Sequence, residues 1–263
     1  MPLIAQLTDL HVLADGAPAY GRVDTLGHLH RAVEHLNALP LDGIVITGDL
    51  IDDGSAESYA TLRPALDRLA APWWPLPGNH DGPGFWPAFA DRMTDPGPGL
   101  GHVARAGGVR IVCVDTTIAG AAGGRIDAAR ADWLARALPG ETPALLALHH
   151  PPTPVGIAHM DRIGLDGAGR LATIVADHPP LAILAGHVHR TILSRLGAVP
   201  VIVGPSCAHA VTLDLDPLAP GSLSMEPPGV LLHEVGPHGL RTHLSFIGDH
   251  PGPYPFAGFD PGS

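Results

Sequence analysis

Five short apolar runs, each ending in residues that bind hard or borderline metals, constrain this chain more than any other feature. They read Leu3-Ile4-Ala5-Gln6-Leu7-Thr8-Asp9-Leu10-His11, Gly43-Ile44-Val45-Ile46-Thr47-Gly48-Asp49 and Trp73-Trp74-Pro75-Leu76-Pro77-Gly78-Asn79-His80. The other two are Ala144-Leu145-Leu146-Ala147-Leu148-His149-His150 and Leu181-Ala182-Ile183-Leu184-Ala185-Gly186-His187-Val188-His189. Runs of this kind read as strands, and strands place whatever follows them along one edge of a sheet. Five such ends can converge on one cleft.

Helical patterns alternate with these runs. Asp24 to Leu39 has apolar residues at helical spacing and stops at Pro40. Ser55 is an N-cap candidate for a helix to about Ala70, Asp127 for one to Leu138, and Gly164 to Asp177 is a further helix. Val109 to Val114 adds a strand. The alternation predicts an α/β fold, a sheet flanked by helices. After residue 190 the pattern turns to short strands over 191–196, 200–203, 209–215, 230–235 and 240–247, which predict a β-rich C-terminal part completing a second sheet. No linker or repeat divides the chain. A single domain over 1–250, followed by a Gly/Pro-rich tail over 251–263, is the expected organisation.

The 263 residues suffice for one large domain with a well-buried core. The formal charge is −11, and all 15 basic residues are arginine. A chain this acidic offers no electrostatic footprint for nucleic acid polymers or anionic membranes, and no apolar run is long enough to span a bilayer. Met1-Pro2 leads straight into the first run without a basic n-region, which argues against a secretory signal and for the cytoplasm. Cys113 and Cys207 make neither a disulfide framework nor a CxxC pair, and Cys113 reads as a small core residue.

Asp9 and His11, and likewise His187 and His189, are i, i+2 pairs that face one side of an extended chain and can each grip an ion. Among 17 histidines about one His-x-His pair arises by chance. His28-Leu29-His30 is such a look-alike, because on a helix i and i+2 point apart. Gly48-Asp49 and Gly78-Asn79 place a polar side chain after a glycine that admits close approach. Taken singly each is equally a loop turn or an Asx-turn. Five matches, all at run ends, point to a site.

The order Asp9-x-His11, Gly48-Asp49, Gly78-Asn79-His80-Asp81, His149-His150, Gly186-His187-x-His189 resembles the calcineurin-like metallophosphoesterase superfamily, with no motif missing. The resemblance implies a four-layer α/β/β/α sandwich of two mixed sheets with a binuclear metal centre at the strand ends. Carried over by position, it implies one metal held by Asp9, His11, Asp49 and His189, and another by Asp49, Asn79, His149 and His187, with Asp49 bridging. His149 is preferred to His150 because neighbouring strand residues face opposite ways. The ions would be divalent or trivalent iron, manganese or zinc.

Two divalent ions carry four positive charges, of which Asp9 and Asp49 offset two, so the site suits a phosphoester. Ions about 3.5–4 Å apart clamp a phosphoryl group and lower the pKa of bound water to about 7, so that hydroxide attacks phosphorus in line with the leaving alkoxide. By resemblance His80 contacts phosphate and protonates the leaving group. Asp52 either orients His80 or is an exposed loop acid.

Gly78-Asn79-His80-Asp81 with Gly186-His187-Val188-His189 resembles the class III cyclic nucleotide phosphodiesterases, and Ala19-Tyr20-Gly21, His149-His150-Pro151-Pro152 with Gly156 and His159-Met160-Asp161, and Pro205-Ser206-Cys207-Ala208-His209 add to this. That branch contains bacterial cyclic-AMP and glycerophosphodiester phosphodiesterases. Tyr20 and His209 are then candidates to line the substrate pocket, with Asn79 and His80; the alternatives are a packed loop aromatic and a polar strand residue. Thr116 and Thr117 are weaker candidates, and Trp73-Trp74 reads as core or interface. The expected activity is hydrolysis of small phosphodiesters, 3′,5′-cyclic nucleotides first and glycerophosphodiesters second. A non-catalytic scaffold is the rival from another class, and it should have lost ligands that this chain keeps. Self-association through the β-rich C-terminal part is implied by analogy alone.

Overall fold

The computed structural model describes residues 1–93, 96–97 and 99–254, so the tail expected over 251–263 lies mostly outside the described residues. One sheet has the order β16-β15-β1-β2-β3. Its strands β1 (Leu3–Leu7), β2 (Gly43–Thr47) and β3 (Trp73–Leu76) run parallel, and the hairpin β15 (Gly229–Gly236) and β16 (Gly239–Phe246) adds antiparallel to β1. The other sheet has the order β11-β12-β10-β8-β6-β5-β4. Here β6 (Val109–Val114), β8 (Ala144–Ala147), β10 (Ala182–Ala185) and β12 (Val199–Val203) are parallel. Antiparallel β11 (Ile192–Leu196) closes one side, and β5 (Gly101–Ala106) with β4 (Pro96–Gly97) the other.

Three apolar layers explain why the runs are continuous and not alternating: both faces of each central strand are covered. Along β2, Ile44 and Ile46 pack outward with α1 (Thr25–Asn37) and α2 (Ala56–Leu66), while Val45 faces the second sheet. Along β10, Ile183 and Ala185 pack outward with α4 (Ala128–Ala137) and α6 (Ala168–Asp177), while Ala182 and Leu184 face the first sheet. The architecture is a four-layer α/β/β/α sandwich. Trp73 joins the outer core and Trp74 the layer between the sheets, as does Cys113.

Three helices start on side-chain caps that the sequence marks. Asp24 accepts from Gly27 N, Ser55 from Ser58 N and Asp127 from Arg130 N, each contributing about 1 kcal/mol. The helix expected from Gly164 starts only at Ala168. Gly167 sits at φ 80°, and β9 (Leu165–Asp166) pairs instead with β7 (Gly124–Arg125). The C-terminal strands do not all complete a second sheet: β11 and β12 extend one sheet, whereas β15 and β16 complete the other. Of the strand expected over 209–215 only β13 (Ala210–Val211) forms, paired with β14 (Leu223–Ser224).

One polar seam crosses the inner layer. Gln6 donates Nε2–H to Ala185 O at 2.7 Å and Thr47 Oγ1 at 3.0 Å, and accepts from His233 Nε2 at 3.2 Å. Nδ1 of His233 in turn accepts from Thr242 Oγ1 at 2.9 Å, which keeps the ring neutral. Burial pushes His233 down to about 3 from an ordinary value of 6.5. Below pH 6.5 the unfolded chain takes up a proton that the folded chain refuses, so this residue's contribution falls as pH drops from about 6.5 towards 3, by about 1.4 kcal/mol per pH unit. H233Q, which keeps a donor for Gln6 but does not titrate, is expected to remove that increment. Urea midpoints of the two proteins at pH 7, 5.5 and 4.5 should converge on acidification; parallel curves would refute the assignment.

Candidate metal centre

All five run ends meet at one edge of the sandwich. The strands stop before the polar residues, and the chain then turns through left-handed backbone. Asp9, His11, Asp49, His187 and His189 have φ of 54°, 47°, 51°, 72° and 55°. Side chains in this region cost of order 1–3 kcal/mol each and persist only where surroundings over-determine them. Here the loops hold one another: Asp9 N donates to Gly48 O, Leu10 N and His11 N to Asp49 O, and Gly186 N to His149 O. The i, i+2 pairs are therefore not extended strand, as the spacing suggested. His187 and His189 consequently enter different clusters instead of gripping together.

Glycine is required at several points in this packing, Gly48 and Gly186 among them. A Cβ on Gly48, at φ 95°, would lie 2.4 Å from His149 Nδ1, and one on Gly186 would lie 2.2 Å from Thr8 Oγ1. Either substitution would push the loops apart at the point where the two sheets' ligand sets meet.

The first cluster joins Asp9, His11, Asp49 and His189, all buried. His11 donates Nδ1–H to Asp52 Oδ1 at 2.8 Å and His189 donates Nδ1–H to His209 O at 3.3 Å. Both rings then turn an Nε2 lone pair inward, with the two Nε2 atoms 3.2 Å apart. Asp49 Oδ2 lies 3.6 Å from His11 Nε2, and Asp9 Oδ1 3.5 Å from His189 Nε2. Asp9 is oriented by Thr8 Oγ1 at 2.8 Å and by His187 N.

The second cluster lies on the other side of Asp49. His149 donates Nδ1–H to Thr47 O at 2.8 Å, so its Nε2 lone pair faces Asp49 Oδ2 and Asn79 Oδ1, each 3.2 Å away. His187 donates Nε2–H to Ile163 O at 3.1 Å, leaving Nδ1 unprotonated. His150 also lies close, its ring 4.6 Å from that of His187. Strand parity therefore does not separate His149 from His150, because β8 ends at Ala147 and both rings point to the same region. Hydrogen bonding separates them. His150 donates Nε2–H to Ala122 O at 3.1 Å and accepts Thr116 Oγ1–H on Nδ1 at 2.8 Å, so neither nitrogen is free to ligate.

With Nδ1–H of His11, His189 and His149 committed to outer partners, their Nε2 atoms and the carboxylate oxygens converge as a donor set for cations. Burial and charge act differently on the individual groups. Burial pushes the Asp9 carboxyl up to about 6, with Asp49 adding to it against the pull of His149 and His11. Burial also works against ionised Asp49, but His149 and His11 outweigh it and hold that carboxyl well below its usual range. His149 is pushed up to about 9 by Asp49 despite its burial. Burial and neighbouring imidazoles hold His187 down to about 3, and His189 and His150 well below their ordinary value. His187, His189 and His150 thus stay neutral, whereas His149 and His11 are drawn towards the charged form by the carboxylates beside them, which is the positive charge a bound cation would replace.

Over the clusters opens a cleft of about 350 Å3 lined by His80, Tyr20, His209 and Asn79 among others. His80 is half-buried and donates Nδ1–H to the backbone carbonyl of Asp52 at 2.8 Å. The Asp52 carboxylate has His11 as its nearer partner, at 2.8 Å against 3.4 Å for His80. Its carbonyl orients His80, while its side chain orients the ligand-cluster histidine. The His209 ring packs against His189 at 4.5 Å and Tyr20 at 5.4 Å. Thr116 holds His150 and Thr117 caps Asp115, so neither lines the cleft. His28 and His30 lie in α1, outside every ligand cluster.

Asp81 has a role that the motif alone does not reveal. Fully buried, it accepts from Gly78 N at 2.8 Å and Leu50 N at 3.1 Å, and Tyr59 Oη–H donates to it. Burial and the Asp49 charge push it up to about 7. It ties the Asn79 loop to the Asp49 loop. The signal was the short acid three residues after Gly78, the spacing of a side chain folding back on its own turn.

Residues 2–191 match the calcineurin-like phosphoesterase family. A probable glycerophosphodiester phosphodiesterase of Arcobacter nitrofigilis is 34% identical over 263 residues, covering 97% of this chain and 96% of that protein. A 3′,5′-cyclic adenosine monophosphate phosphodiesterase of Pseudomonas aeruginosa is 35% identical over 258 residues, 94% of this chain and 90% of that one. Among solved structures, a dimetal phosphatase from Danio rerio matches with a TM-score of 0.64 at 14% identity, over 94% of this chain and 99% of that chain. The chain belongs to the calcineurin-like phosphoesterase family and is a metal-dependent phosphodiesterase.

Proposed function

We propose that this enzyme hydrolyses small phosphodiesters, 3′,5′-cyclic nucleotides foremost, opening cyclic AMP to AMP. The observation that carries the reading is the position of Asp49, its Oδ2 3.6 Å from His11 Nε2 and 3.2 Å from His149 Nε2, between two ligand clusters beneath a cleft that also presents His80. Asp9, His11, Asp49 and His189 would hold one ion, and Asp49, Asn79, His149 and His187 a second. An oxygen and nitrogen donor set without thiolate suits iron, manganese or zinc. Bound there, such ions supply charge neutralisation for the phosphoryl oxygens and acidify water.

The chain's own groups supply the rest. Asn79 and the two carboxylates fix the floor on which the phosphate sits. His80, its Nδ1–H committed to the Asp52 carbonyl, presents Nε2 to the cleft as the atom that can pass a proton to the departing alkoxide. Water adds to phosphorus, the ester P–O bond breaks, and the proton ends on the released hydroxyl. With two buried thiols and no helix among the described residues long and apolar enough to cross a membrane, the cytoplasm is the setting we infer.

Glycerophosphodiester hydrolysis is the second reading, supported by the Arcobacter relative. Steady-state assays of the manganese-loaded protein with cyclic AMP, glycerophosphocholine and bis(4-nitrophenyl) phosphate separate the two. The expected result is the highest kcat/KM for cyclic AMP, loss of nearly all turnover after chelation, and recovery when manganese returns. A higher value for glycerophosphocholine replaces the first reading with the second. A cyclic-AMP value no better than that of the aryl diester leaves neither nucleotide nor glycerol preferred.

A further inference from the structure

We propose that the cleft wall built from His159, Met160 and Ile163 on one side and Gly221, Ser222 and Leu223 on the other is the seat of the substrate's aromatic base. This rests on the cyclic-nucleotide reading and extends it from the phosphate to the organic half of the substrate. All six residues line the cleft that opens over the metal ligands. His159 and Met160 belong to the short helix α5 (Ala158–Asp161), placed there by Asp161, which accepts from Val155 N and Gly156 N.

The two segments meet through an absent side chain. A Cβ on Gly221 would lie 2.6 Å from Cδ2 and Nε2 of His159, so the imidazole lies directly against the 221 backbone. Each segment is also tied to the ligand loop. Ile163 O accepts from His187 Nε2, and Arg190 donates Nη1–H to Val211 O and Glu226, bracing the β13–β14 hairpin that carries Leu223. The wall thus stands at a set distance from the phosphate floor.

Its chemistry selects the occupant. Met160, Ile163 and Leu223 present apolar surface, and only His159 and Ser222 offer polar side-chain atoms. The six wall residues include neither a carboxylate nor a Trp, Tyr or Phe face to meet a choline-type cation, and they offer too few partners to satisfy the hydroxyls of a glycerol arm. A neutral planar heterocycle fits: its faces suit apolar carbon and the Met160 thioether, and its nitrogen-bearing edge suits an imidazole and a hydroxyl. The His159 imidazole is partly exposed at the cleft, where the edge of a ligand can reach it.

Adenosine, which has the base and no phosphate, and inorganic phosphate, which has the reverse, are the probes. Each is titrated as a competitive inhibitor of bis(4-nitrophenyl) phosphate hydrolysis by the metal-loaded enzyme and by its H159A and L223S variants, which alter the two segments independently. The inhibition constant of adenosine should rise about tenfold in both variants, with that of phosphate within about twofold of wild type. An unchanged adenosine constant, no competition by adenosine in wild type, or a parallel rise for phosphate overturns the proposal. Failure of the cyclic-nucleotide reading shows separately, as a wild-type enzyme that turns over the aryl diester but not cyclic AMP.

Discussion

Replacing Asp49 by alanine is expected to lower kcat/KM at least about a thousandfold and to reduce bound metal from two ions towards none. Its Oδ2 lies 3.6 Å from His11 Nε2 and 3.2 Å from His149 Nε2, so one carboxylate faces both clusters. Its Oδ1 also accepts from His80 N at 2.9 Å, which positions the loop carrying Asn79. Removal takes a donor from each proposed ion site together and frees the Asn79 loop. Loss of a group that only supports a ligand costs about 10- to 100-fold, and a donor shared between two sites should cost more. Elemental analysis of dialysed protein reads the stoichiometry, and circular dichroism shows whether the sandwich persists. D49N, which keeps the shape and an oxygen but not the charge, should fall between the two. A D49A protein with two ions and wild-type turnover would refute the shared-carboxylate arrangement.

The residues that gather at the site were legible because each follows an apolar run, and a run's end is a local property. Their geometry was not. Asp9 and His11 look like an extended pair by spacing, but β1 ends at Leu7 and both residues turn left-handed, held by hydrogen bonds to Gly48 and Asp49 some 40 residues away. Partner choice between strands is likewise non-local. Val230 to Val235 reads as a strand, yet nothing within it says that it pairs with β1 and not with β12. Asp52 illustrates the same limit at the level of one side chain. Its nearness to His80 follows from the loop, whereas its tighter contact with His11 depends on how two loops cross. Thr116 shows the reverse, a residue read as a weak pocket candidate that instead saturates the histidine beside the candidate ligands.

His80 carries the second large effect, and its size should depend on the leaving group. A ribose or glycerol alkoxide departs poorly without a proton, whereas 4-nitrophenolate leaves as a stable anion. General acid catalysis typically contributes about 10²- to 10⁴-fold. H80A is therefore expected to lower kcat for cyclic AMP by about that factor, but kcat for bis(4-nitrophenyl) phosphate by less than about tenfold. Because the His80 ring packs 4.7 Å from that of His11, metal content must be measured alongside. The donated Nδ1–H to the Asp52 carbonyl makes H80N a useful companion, since asparagine can keep that contact but cannot deliver a proton from Nε2. If H80A slowed both substrates equally at full metal occupancy, His80 would be a phosphate-binding group, and the proton for the leaving alkoxide would have to come from another donor in the cleft.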